Sequence, residues 1–110
     1  MATINYPNNG EKTSFITTAS IGETAILVNA VANVRIRVIS LFLISAGINT
    51  ITFKSNGGAI SAAMSFAANG GLVLPRNKYG WFQGVVANDL DINLSAALSV
   101  GVTITYVLTT

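Results

Sequence analysis

The chain has neither cysteine nor histidine among its 110 residues. Without cysteine there is no disulfide framework and no thiolate to act as nucleophile or ligand. Without histidine the chain lacks the commonest metal ligand and the usual general base near neutral pH. Charge is scarce too, at 9% of residues against about 25% in ordinary soluble domains. Six basic and four acidic side chains leave a net charge of +2. Charges this sparse make a weak polyelectrolyte, so nucleic acid is not expected as a partner. A spanning helix would need about 20 consecutive apolar residues, and the best run is broken by Arg37, Ser40, Ser45 and Gly47. The opening "MATINYPNNGEK" has no basic n-region and no apolar h-region, so neither a signal peptide nor a membrane anchor is expected.

What is abundant is apolar side chain, at 51% of the sequence. A single domain of this length buries only roughly 65% of the surface its unfolded chain exposes. The apolar supply therefore exceeds what one small core hides, and the expected outlet is association with further copies of the chain.

The pattern along the chain is strand, turn, strand. Residues 1–12 are polar, with Pro7-Asn8-Asn9-Gly10 in a row, and read as an N-terminal arm. Residues 13–110 read as one β-domain. Strands are expected at 13–19, 24–31, 34–45, 49–55, 72–75, around 81–86, 89–96 and from Gly101 to the end. Asn56-Gly57-Gly58 and Asn69-Gly70-Gly71 are tight-turn signals. They bracket "AISAAMSFAA", which reads as one further strand, with a helix as the competing reading. The expectation is an all-β, single-domain antiparallel β-sandwich of about eight or nine strands, of jelly-roll or immunoglobulin-like type.

One strand raises a specific problem. In "ANVRIRVISLFLISAG" (32–47), Val34, Ile36 and Val38 alternate with Arg35 and Arg37. Continued at the same parity, the arginine face becomes Ile39, Leu41 and Leu43. Either neighbouring copies cover that stripe, or the strand passes through the cores of both sheets. Neighbours are the favoured reading, with Arg35 and Arg37 at the rim of an oligomer interface made by Ile39, Leu41 and Leu43. Each large side chain fully buried there would contribute about 1.5–3 kcal/mol.

No catalytic, cofactor-binding or metal site is expected. Asp89 and Asp91 share a strand face but lack the further oxygen ligands calcium takes, and they read as a solvated face. Serines and threonines are many, but no base is placed to activate one. The most distinctive local cluster is "LPRNKYGWFQG", with Arg76, Lys78, Tyr79 and Trp81. Three readings stand: Trp81 and Phe82 close one end of the sandwich with Arg76 and Lys78 solubilising the loop, the cluster anchors a protein partner, or the rings stack on a sugar or a base.

"SFAANGGLVLPRNKYGWFQ" followed by "LDINLSAALSVGVTITYV", together with "VRIRVISLFLISAGINTITFKS", resembles the small β-sandwich virion proteins of tailed bacteriophages. The similarity spans roughly residues 24–108. It lies in the strand resembling "RIRVIS", the "TFKS" strand, the "AANGG" turn, the "P-x-N-x-x-GWF" loop and the final "TYV" strand. The resemblance implies a structural virion protein of the head-decoration, or cement, type. Such a protein would be a homotrimer bound to the major capsid protein at capsomer junctions, assembled in the host cytoplasm and carried in the virion. Ile4, Asn5, Tyr6 and Pro7 of the arm, with Arg76, Lys78, Tyr79 and Trp81, would then contact the capsid. The alternative is a carbohydrate-binding module of a tail or fibre, with Tyr79 and Trp81 stacking on host glycan.

Overall fold

The computed structural model describes residues 10–29 and 31–109. Ten antiparallel strands form two packed sheets: β1 (Lys12–Thr18), β2 (Gly22–Leu27), β3 (Arg35–Ser45), β4 (Asn49–Ser55), β5 (Gly58–Ala59), β6 (Met64–Phe66), β7 (Gly71–Leu74), β8 (Phe82–Gln83), β9 (Leu90–Leu94) and β10 (Val100–Thr109). The first sheet runs β1-β10-β3-β7, with β8 also on β3; the second runs β2-β9-β4-β5, with β6 also on β4.

This order has a simple logic. The first strand pairs with the last, β2 with β9, β3 with β7 and β8, and β4 with β5 and β6. Taking β5 with β6 and β7 with β8 as interrupted strands, eight strands pair in a nested series, as one long hairpin rolled up. That is the jelly roll, and the immunoglobulin-like alternative is set aside by the pairing.

Strict alternation builds the core. Ile51 and Phe53, then Leu90, Ile92 and Leu94, then Val102, Ile104 and Tyr106 all point inward and are buried, as the period of two requires. Leu108, next in the same alternation, is exposed near the strand end. Phe82 stacks on Phe53 at 5.2 Å between ring centres and closes one side of the core.

The two Asn-Gly turns behave differently. Asn56 and Gly57 both take positive φ and link β4 to β5 as a tight hairpin. At the second, only Asn69 takes positive φ, and the chain crosses from the second sheet to the first. The expected strand between these turns is interrupted. Ile60 and Ser61 both donate backbone N–H to the Phe53 carbonyl, and Ser61 Oγ accepts the Phe53 N–H at 2.9 Å. A hydroxyl thus replaces one rung of the ladder, dividing the strand into β5 and β6.

Candidate interaction surfaces

β3 carries a parity shift that changes which side chains face outward. Ser40 pairs with Thr105 of β10, but the next partner, Tyr106, pairs with Val38. Ile39 is the extra residue of a β-bulge. One inserted residue exchanges the two faces of everything beyond it. Ile36 and Val38 face inward before the bulge, and Leu41 and Leu43 after it.

The expected oligomer face is corrected accordingly. Ile39, Leu41 and Leu43 are each 1% exposed, covered by their own subunit, and do not form an outer stripe. Arg35 and Arg37 do face outward, but the residues continuing their row are Ser40, Phe42 and Ile44. Besides Leu108 near the end of β10, the exposed apolar residues of the first sheet are Phe15 at 76%, Phe42 at 56%, Ile44 at 61% and Val73 at 73%.

Register aligns these side chains into one patch. Phe15 pairs with Thr103, Thr103 with Phe42, and Phe42 with Val73, so a single row crosses all four strands. The neighbouring row is Thr17, Gly101, Ile44 and Gly71. Between the rows lies an open hollow of about 240 Å³, floored by Gly101 and walled by Phe15, Phe42 and Ile44. A Cβ on Gly101 would meet only the Thr17 hydroxyl, at 3.9 Å. Nothing in the subunit's own packing requires glycine in this central strand, where glycine commonly marks close approach by another molecule.

Charge is segregated along the sandwich. The β1–β2, β3–β4, β6–β7 and β9–β10 turns at one end contain only Ala, Ser, Ile, Gly, Asn and Leu. Ile21, Ile48 and Leu98 are exposed there. The outer face of the first sheet from Ser40 to this end is uncharged as well. Arg35, Arg37, Lys54, Asp89 and Asp91 gather toward the opposite end.

That charged end holds the aromatic loop 75–81. Asn77 donates its backbone N–H to the Ile39 carbonyl, and Trp81 donates its own to Val38, both at 2.8 Å. The Trp81 indole N–H reaches the Pro75 carbonyl at 2.8 Å, and Asn77 Oδ1 accepts the Tyr79 N–H at 3.0 Å. Gly80 has φ +84°, and the Arg37 side chain lies where a Cβ would stand, its Cγ 2.5 Å from that position. Only glycine fits. Tyr79 is 76% exposed and Trp81 43%; of the pair expected to close the end of the sandwich, Phe82 packs against the core and Trp81 stays half in water. The Lys78 ammonium sits 5.1 Å from the centre of the Tyr79 ring. Arg37, Tyr79, Gly80, Trp81, Phe82 and Gln83 line an open depression of about 280 Å³.

The other predicted contacts are scattered. Arg76 is engaged in a bidentate ion pair with Glu11, which holds the Glu11 carboxyl below its usual range. β1 begins at Lys12, so the end of the expected arm belongs to the sandwich. Ile4, Asn5, Tyr6 and Pro7 lie outside the described residues. Asp89 is not merely solvated: its Oδ1 accepts the buried Asn29 N–H at 2.9 Å. Asp91 has its carboxyl pushed up, first by burial and then by Glu23 and Asp89. Among the described residues, no three acidic side chains are placed to hold a metal ion together.

No family model, curated protein or solved structure matches the chain.

Proposed function

We propose that this chain is a non-enzymatic structural protein that works by associating with copies of itself. The observation that carries the reading is the uncharged outer face holding Phe15, Phe42, Ile44 and Val73. At about 150–250 Å² for a large side chain, their exposures leave roughly 500 Å² of apolar surface in water. That matches the upper range of patches on monomers, about 300–600 Å². With the flanking hydroxyls and the uncharged end it approaches the roughly 800 Å² per partner of a standard interface.

A second copy is the fitting occupant because the face complements itself. It offers both knobs (Phe15 and Phe42) and a hollow over Gly101, so a knob of one copy enters the hollow of the next. It carries no charge, so two such faces meet without like-charge repulsion or a buried unpaired ion. At roughly 25 cal/mol per Å², hiding roughly 500 Å² on each of two copies contributes about 25 kcal/mol gross. The association cost is about 4–15 kcal/mol. The gross gain exceeds that cost, and only the surplus appears as affinity.

The setting we propose is decoration of a phage capsid, as a homotrimer seated on the major capsid protein. The sequence resemblance supports it, and the jelly roll, recurrent in viral shells, adds a fold-level analogy. Many symmetric copies would make individually modest contacts collectively strong.

Sedimentation tests the self-association directly. The wild-type chain is expected as an oligomer, at two or more times its 11.4 kDa mass, at micromolar concentration. Phe42→Asp, at an exposed position, is expected to sediment as a folded monomer with unchanged circular dichroism. A wild type that is monomeric at that concentration would refute the reading.

A further inference from the structure

The aromatic depression at the charged end calls for a separate explanation, because the assembly face does not use it. We propose that it is a binding site for an acidic saccharide, with sugar rings held against Tyr79 and Trp81 and a sugar carboxylate on Arg37.

The loop's framework is satisfied without the side chains it presents. The backbone of Asn77 and Trp81 is tied to β3, and Gly80 N–H returns to the Asn77 carbonyl at 2.8 Å. The indole N–H is spent on Pro75, which fixes the Trp81 ring while leaving it partly exposed. Meanwhile the Arg37 guanidinium, the Gln83 carboxamide and the Tyr79 hydroxyl make no hydrogen bond or ion pair among the described residues. Three polar functions and two exposed rings thus border one depression on a rigid support, and the three polar groups have no partner among the described residues. Orientation already fixed in the free protein lowers the ordering cost of binding.

The chemistry selects the ligand. A pyranose ring offers a C–H face to an aromatic ring and hydroxyls to a carboxamide. Guanidinium is the cation best shaped for a carboxylate, which it takes through two parallel bonds. Lys78 adds positive charge beside Tyr79. The volume, about 280 Å³, lies at the small end of ligand sites, roughly 300–1,000 Å³, and suits one or two sugar residues. Single-stranded nucleic acid would need a cationic groove tracking many phosphates, and the depression has only Arg37 and Lys78 to offer. The depression lies outside the proposed assembly face, which occupies the other half of the first sheet.

Trp81 is the only tryptophan, so the intrinsic emission of the full chain reports on the site. Titration with oligogalacturonate is expected to change that emission. Neutral malto-oligosaccharides are expected to bind about tenfold more weakly and oligothymidylate not at all. Tyr79→Ala, at a position the fold does not use, should weaken oligogalacturonate binding by about tenfold or more, the scale of a lost stacking contact. Arg37→Gln should remove the preference for the acidic sugar while leaving the weak neutral binding. The proposal is overturned by unchanged emission with oligogalacturonate, by oligothymidylate binding as tightly, or by both variants binding like the wild type.

Discussion

Asp91 shows how a single charge sits uneasily on this fold. It lies on the outer face of the second sheet, with Glu23 and Asp89 near enough to repel it. Lys54 pairs with it in register, but the Lys54 ammonium goes to Glu23 at 3.3 Å. Burial and the two carboxylates raise its folded pKa above the unfolded value of about 3.9. The folded state therefore binds the proton more tightly, and stability falls as pH rises from the unfolded value through the folded one. Asp91→Asn is expected to raise Tm at pH 7, by no more than about 2 °C for a carboxylate screened by solvent. The difference should vanish below about pH 3.9, where the acid is protonated in both states. Thermal melts of the two proteins across this range check the sign.

At the scale of elements, the turns are held by buried polar side chains more than by their own sequences. Asn49, at the start of β4, is buried, and its Oδ1 accepts the backbone N–H groups of Ser95 and Ala96, each at 3.0 Å. Its Nδ2 donates to the Ala96 carbonyl at 3.1 Å. One amide thereby organises the β9–β10 turn at the uncharged end. Asn49→Ala leaves the Ala96 N–H without its partner, while the Ser95 N–H keeps the Thr50 carbonyl at 3.1 Å and the Ala96 carbonyl keeps the Leu98 N–H at 2.9 Å. The substitution should cost about 1–3 kcal/mol, the scale of one unsatisfied group. Urea unfolding measures it. The same scale separates what the sequence reveals from what it hides. Strands β4, β9 and β10 are legible because apolar and polar residues alternate without interruption. The bulge at Ile39 is not, because "VISLFLI" is apolar at both parities and gives no sign of a slip. Its effect is large: it sends Leu41 and Leu43 into the core and turns Phe42 and Ile44 outward. Tyr79 and Trp81 stand out locally as a cluster. Arg37 and Gln83 join them only through the β3–β8 pairing, a contact between residues far apart in sequence. Gly101 gives no local signal either, since its role depends on the Phe15, Phe42 and Ile44 around it.

The whole molecule is a jelly roll with two unlike halves on its first sheet. One half is uncharged, with aromatic and aliphatic side chains in water and a glycine-floored hollow between them. The other carries the arginines and the fixed aromatic loop. The surplus of apolar residues over charged ones is therefore not spread evenly: part of it is gathered on a face suited to another copy. The most direct test uses a property of the sequence itself. Since the chain has no cysteine, Thr103→Cys places a single thiol in the middle of that face, and Ala63→Cys provides a control at an exposed position between β5 and β6. Once the thiol has been reduced and the reductant removed, the rate of maleimide labelling reads out whether the face is covered. The thiol at position 103 is expected to be protected at micromolar concentration and to become reactive on dilution, while the control reacts at one rate throughout. Equal and rapid labelling at both positions, at every concentration, would contradict it.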